Sequence, residues 1–147
     1  MDTPKIIVCD CDGVLTDGKF WLTGTGEISK GFNTKDVRAI RELISYGYQF
    51  LIVTASSWSG IDSFAKKTGA EVFVIRNKSE LKLQDQDYIA VGDDVWDIEI
   101  LKNAWLKFCP KNSDRIVLNI PDIVELDVKG GDGCIANLAN ILRPIVP

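Results

Sequence analysis

The chain contains no histidine. Its absence leaves Ser-His and Cys-His nucleophilic pairs, and the usual histidine-ligated zinc sites, without an essential part. The four cysteines, Cys9, Cys11, Cys109 and Cys134, form no C-x-x-C pair, so a thiolate zinc site lacks its spacing as well. No apolar run approaches the roughly 20 residues that a membrane helix needs. The opening MDTPKIIVCD holds neither the apolar stretch nor the small-residue cleavage site of an export signal, so a cytosolic protein is expected. Basic residues are in the minority, with 17 Lys and Arg against 21 Asp and Glu, for a formal net charge of -4. They are also scattered, which argues against nucleic acid as a partner and for a small substrate. Any catalysis must therefore use carboxylates, lysine or a hard metal ion.

What is present reads as one domain over residues 1–147, a length able to bury a core without disulfide or metal staples. No linker, repeat or low-complexity segment interrupts it. Hydrophobic periodicity gives strands at KIIVCD (5–10), YQFLIVT (48–54), EVFVI (71–75), YIAV (88–91) and LKFC (106–109). Between them lie helical patterns at DVRAIRELISY (36–46), about 58–68, VWDIEILKNA (95–104) and DGCIANLANIL (132–142), with a short helix opening at Lys78. Asp36 is the N-cap candidate of the first helix, and Gly47 and Gly69 are helix stops. GKFWLT and EISKGF, joined by Gly24-Thr25-Gly26, read as a β-hairpin over 18–32. Strands alternating with helices predict an α/β fold, a Rossmann-like three-layer sandwich whose central sheet is parallel, with the hairpin inserted after the first strand and no large cap. Cys9 and Cys11, on the face of the first strand opposite Asp10, are expected to be core thiols.

In open parallel sheets ligands bind beyond the carboxyl ends of the strands. The residues arriving there are Asp10 and Asp12 after the first strand, Thr54 after the second, Lys78 shortly after the third, and Asp93 and Asp94 after the fourth. Each has an ordinary local reading: a cap for Thr54, a solvated helix start for Lys78, a turn for Gly92-Asp93-Asp94. Together they deliver polar groups from four strands to one edge. Carboxylates at Asp10, Asp12 and Asp93 repel one another unless a cation joins them, and an oxygen-only set of this density suits Mg2+. Asp10 can then attack phosphorus and carry it as an aspartyl-phosphate. Asp12 serves as acid and then base, Lys78 offsets charge, and the Thr54 hydroxyl with nearby backbone N–H groups holds a phosphate oxygen.

The segments DCDGVLTDG, IVTASS, Lys78 and VGDDVWD resemble the four ordered motifs of the haloacid dehalogenase superfamily of aspartate-nucleophile phosphatases. DGVLTDG, the hairpin, KGFNTKD and the late KGGDGC resemble its small cap-lacking subclass, which includes 3-deoxy-D-manno-octulosonate 8-phosphate phosphatases and nonulosonate 9-phosphate phosphatases. The resemblance implies Asp10 as nucleophile and metal ligand, Asp12 as acid/base with its backbone carbonyl on the metal, Asp93 as third protein ligand, and Asp94 and Asp97 as supports behind them. It implies substrate contacts from Gly13, Thr34, Lys35, Asp36, Ala55 and Ser56, a small phosphorylated metabolite such as a sugar or sugar-acid phosphate, and a homotetramer in which the hairpin helps close a neighbouring site. Three departures bear on the substrate. Ala55 and Ser56 replace a glycine and a charged residue, Phe64 and Ala136 stand where sugar-acid-binding arginines are common, and the stretch from Lys78 to Gly92 is short.

Two other readings use the same residues. A signalling receiver domain also combines an acidic cluster, Thr and Lys on a parallel sheet, but its lysine comes last, whereas Lys78 precedes Gly92-Asp93-Asp94. A catalytically idle phosphatase fold could serve as an assembly module of a sugar-nucleotide pathway. Retention of Asp10, Asp12, Lys78 and Asp93 opposes that reading.

Overall fold

In the computed structural model, which describes residues 3–83 and 86–143, six parallel strands form one sheet in the order β5-β4-β1-β6-β7-β8. They are β1 (Ile6–Asp10), β4 (Gln49–Thr54), β5 (Glu71–Val74), β6 (Ile89–Val91), β7 (Leu106–Cys109) and β8 (Val124–Glu125). The antiparallel ribbon β2 (Trp21–Leu22) and β3 (Ile28–Ser29) stands apart from the sheet. The helices are α1 (Thr34–Ser45), α2 (Ser59–Thr68), α3 (Ile98–Asn103), α4 (Arg115–Leu118) and α5 (Cys134–Leu142), with single 3-10 turns at Lys78–Glu80 and Val95–Asp97.

Strand alternation splits the core into two layers. Ile7, Cys9, Phe50, Ile52, Ile89 and Val91 face one way and pack on Ile40 and Leu43 of α1, Phe64 of α2 and Leu138 of α5. Val8, Leu51, Val53 and Ala90 face the other way, onto Leu101 of α3 and Val117 of α4. This is the expected three-layer arrangement. Cys9 of β1 and Cys11, which opens the turn just beyond it, are fully enclosed in the first layer. The middle strands are apolar on both faces because both are covered. None of the described helices is long and apolar enough to cross a membrane.

Several local expectations change. Asn33, not Asp36, caps α1: its side chain accepts the Lys35 N–H at 2.9 Å. Asp36 lies inside the first turn, buried, where its Oδ1 accepts the N–H groups of Ile135 and Ala136, both at 3.0 Å. A carboxylate from α1 thus satisfies free donors at the start of α5 and ties the two helices together. The paired part of the hairpin is only two residues on each side, because Thr23 and Glu27 already close the turn. The sixth strand β8 and the one-turn α4 carry too few residues to show a period and escape the sequence reading. In the short Lys78–Gly92 stretch the described residues hold the turn at Lys78–Glu80 and the strand β6; residues 84 and 85, like 1 and 2 of the opening segment, lie outside the described residues.

Candidate active site

Asp10 ends β1 at the centre of the sheet, between β4 and β6, so strand order alone brings Thr54 and Asp93 to its two sides. Beyond it the chain makes a wide turn in which Thr16 N–H reaches the Cys11 carbonyl at 3.1 Å. The turn needs Gly13 in the left-handed region, φ +89°, and a Cβ there would overlap the Asp93 carboxylate. Gly130 closes the turn from behind, since a Cβ on it would run into the Gly13 carbonyl. That close approach accounts for Gly130, and Gly131, in the left-handed region at φ +83°, accounts for the second glycine of the pair.

Lys78 bridges Asp10 and Asp97, with Nζ at 2.5 Å from each carboxylate. All three side chains are nearly enclosed, at 7%, 12% and 4% exposure for Lys78, Asp10 and Asp97. Burial opposes the lysine charge, but the Asp10 and Asp97 carboxylates outweigh it and raise the ammonium above its usual range. Burial raises the Asp10 carboxyl well above the ordinary range, the Asp97 charge adds to this, and Lys78 works the other way. Asp93 is pushed up to about 6, first by burial and then by Asp97 and Asp94, while its contact with Asp10 lowers it.

Carboxylate oxygens of Asp10, Asp93 and Asp97 lie within 4.8 Å of one another. Asp97 is already committed: Oδ1 takes Lys78, and Oδ2 accepts the N–H groups of Asp93 and Asp94 at 2.9 and 3.1 Å. Asp93 Oδ1, in contrast, is buried with no hydrogen-bond partner among the described residues. An orphaned anionic oxygen beside a second carboxylate is the donor set a hard cation satisfies. The residues therefore fit Mg2+ through Asp93 and Asp10, with Asp97 supporting from behind. Asp94 faces the same cavity and caps the turn at Val95–Asp97 through a 2.6 Å bond from the Val95 N–H.

Asp12 is 41% exposed, and both its oxygens are taken by Lys30 Nζ, at 3.0 and 2.9 Å. Thr16 donates to the same carboxylate at 3.1 Å. Lys30, following β3, is only 7% exposed and also sits over the Trp58 ring, 5.1 Å from its centroid. Sequence reading passes over this residue. It lies 18 positions from Asp12, and only the hairpin's reversal brings them together.

Thr54 Oγ1 accepts the Ser56 N–H at 3.1 Å, which leaves the hydroxyl proton free. Thr54, Ala55 and Ser56 line one cavity with Asp10, Asp12, Lys78, Asp94 and Asp97, and Arg76 and Trp96, which the sequence reading also passes over, line it too. Thr34 and Lys35 are exposed at the start of α1. Lys35 lines a separate groove with Arg38 and Ala136, and Asp36 is committed to α5. Phe64 is a core ring stacked on Phe32 at 4.1 Å between centroids.

No family model matches the chain. It is similar to the N-acylneuraminate cytidylyltransferase of Oncorhynchus mykiss, 25% identical over 135 residues, which are 81% of this chain but only 31% of that protein. It is 24% identical over 149 residues to the 3-deoxy-D-manno-octulosonate 8-phosphate phosphatase KdsC of Yersinia pestis, covering 94% of this chain and 79% of KdsC. Among solved structures, a probable YrbI family phosphatase from Pseudomonas syringae superposes with TM-score 0.86 at 26% identity, over 95% of this chain and 84% of that one. The 3-deoxy-D-manno-octulosonate 8-phosphate phosphatase of Moraxella catarrhalis, solved with magnesium, phosphate and KDO, has the same fold: TM-score 0.84, 21% identity, 95% and 85% coverage. With this fold, these ordered motifs and no large cap among the described residues, the chain has the fold of haloacid dehalogenase superfamily hydrolases.

Proposed function

We propose that the chain hydrolyses a small phosphomonoester in two steps through an aspartyl-phosphate at Asp10. The observation that carries this reading is the buried Asp10–Lys78–Asp97 bridge with Asp93 Oδ1 left unpaired beside it. Such an arrangement is expensive for a structural site and useful for one that takes a cation and a phosphate.

In the first step an Asp10 oxygen forms a bond to phosphorus as the bond to the leaving oxygen breaks, and the alcohol departs with the proton of Asp12. In the second, water attacks phosphorus, the Asp10–phosphorus bond breaks, and Asp12 recovers a proton from that water. Lys78 holds Asp10 by one oxygen, which leaves the other to attack. The Thr54 hydroxyl and the backbone N–H groups beside it orient a phosphate oxygen. Lys30 occupies both oxygens of Asp12, so Asp12 meets a leaving oxygen only when Lys30 gives one up, and a phosphate is the natural new partner for the ammonium. Asp10, Asp93 and the Asp12 backbone carbonyl would hold Mg2+. When bound, such an ion supplies positive charge against the repulsion between carboxylate and phosphate.

Two further parts belong to this reading. The substrate is a cytosolic metabolite, and the chain assembles, most simply as a closed homotetramer, because Phe20, Trp21 and Leu22 stand 55%, 80% and 64% exposed on the hairpin. Retention of Asp10, Asp12, Lys78 and Asp93 together opposes an idle assembly module. The test is release of phosphate from a panel of phosphomonoesters with and without Mg2+. Hydrolysis that needs the metal and disappears in a folded Asp10→Asn variant is expected. Undiminished hydrolysis by that variant would overturn the assignment.

A further inference from the structure

The cavity above Asp10 holds about 400 Å³, more than a phosphate group fills, so its outer part receives the leaving group. Its carboxylates, Lys78 and Thr54 belong to the site already described. What remains of the wall is Ala55 and Ser56 beyond β4, Arg76 between β5 and Lys78, and Trp96 in the turn before α3: one methyl group, one hydroxyl, one guanidinium and one indole.

Arg76 is exposed and makes no hydrogen bond or ion pair among the described residues, although several carboxylates share its cavity. Its planar fork is therefore available to an oxyanion, the partner it matches in two parallel hydrogen bonds. Trp96 is 74% exposed, an unusual placement for a large ring unless the face is kept for a ligand. Ser56 offers one hydroxyl, whose oxygen accepts the Trp58 N–H at 3.3 Å and whose proton is left to donate. The broad feature of this outer wall is the indole, whose face a flat ring covers more fully than a polyhydroxylated chain does. The two positions where arginines would greet a sugar acid, Phe64 and Ala136, are respectively a core ring and a residue outside this cavity.

We propose that Arg76 and Trp96 are specificity-determining residues that select a phosphomonoester whose leaving group is a planar ring bearing a second oxyanion. The proposal rests on the reading that this cavity takes a phosphomonoester at Asp10. Arg76 pairs with the second oxyanion, and Trp96 covers the ring.

Binding to the full-length Asp10→Asn chain in Mg2+, followed by calorimetry, tests recognition apart from turnover. The probes are glycerol 1-phosphate, phenyl phosphate, 4-carboxyphenyl phosphate and 1,4-phenylene bisphosphate, the last two distinguishing a carboxylate from a second phosphate. An aryl phosphate whose second anionic group suits Arg76 should bind about 10- to 100-fold tighter than phenyl phosphate, the range of a hydrogen-bonded charge. Adding Arg76→Ala should collapse that ratio. Adding Trp96→Ala should reduce the ratio of phenyl to glycerol phosphate by about 2- to 10-fold. Equal affinity for phenyl phosphate and both ligands with a second anionic group, or an Arg76→Ala change that weakens all three equally and preserves the ratios, would overturn the proposal. Hydrolysis by the chain with Asp10 intact is scored separately. Selective binding with no turnover refutes the hydrolase reading and upholds the recognition, and turnover with no selectivity does the reverse.

Discussion

Replacing Lys78 with methionine keeps the side-chain length and removes the one cation that joins Asp10 to Asp97 inside the protein. Taking away one partner of a buried ion pair typically costs about 3–5 kcal/mol, because the remaining charge is left uncompensated. Asp97 would retain the Asp93 and Asp94 amides, so the lower end, about 3 kcal/mol, is expected. For a chain of this size that corresponds to a fall of roughly 6–12 °C in melting temperature. The deficit should depend on pH in a set direction. Asp10 and Asp93 have folded-state values above the ordinary carboxylate range, Asp93 at about 6 against 3.8. Groups raised in this way contribute stability that is full below the unfolded value and is lost as pH rises through the folded one. Without Lys78 both move further up, so the deficit is small near about pH 4.5 and largest near about pH 8, in chelator. Mg2+ should then recover part of it at the higher pH, by supplying the missing positive charge. Urea denaturation at both pH values, with chelator and with Mg2+, measures this. A deficit below about 1 kcal/mol near pH 8, or one unchanged between the two pH values, would show that Lys78 does not neutralise the cluster.

Asp36→Asn keeps an acceptor for the Ile135 and Ala136 N–H groups but cannot ionise. Burial holds the Asp36 carboxyl at about 6 against 3.8, so the wild-type chain should lose about 2 kcal/mol more than the variant between about pH 4 and pH 7. Parallel pH profiles in urea denaturation would contradict this. Asp12→Asn should lower kcat on an alkyl phosphate by about 10²- to 10⁴-fold, and by much less on 4-nitrophenyl phosphate, whose leaving group needs no proton. Equal losses on the two would make Asp12 structural only. Trp21→Glu should shift sedimentation toward the 16.3 kDa monomer, with a rise in KM if a neighbour's hairpin shapes the pocket; a wild-type chain already monomeric at micromolar concentration would remove the assembly from the account.

The sheet and the carboxylate edge were legible because each depends on a period or an order. Apolar runs such as FLIVT and KIIV imply strands covered on both faces, and parallel winding fixes which ends meet, so Asp10, Thr54, Lys78 and Asp94 lie along one cavity as the strand order requires. What stayed hidden depends on tertiary reach. Asp36 looks like a cap beside the helix pattern, yet it faces the start of α5 about 100 positions later. Lys30 and Asp12 meet only through the fold of the hairpin. Asp97 is expected behind the metal ligands only through the family resemblance, and the bonds to Lys78 and to two amides that make it the member of the acidic trio unavailable to a metal follow no period. Arg76 and Trp96 carry no spacing signal, because a residue lining a cavity from a turn follows no period.

The central claim is that Asp10 becomes covalently phosphorylated. Quenching the enzyme during turnover of a competent phosphomonoester, reducing it with borohydride and mapping the peptides by mass spectrometry tests this directly, since an acyl phosphate is reduced to an alcohol while a free carboxylate is not. The account predicts reduction confined to Asp10, absent when substrate is omitted. Continuing turnover with Asp10 unreduced, or reduction at a different carboxylate, would contradict it.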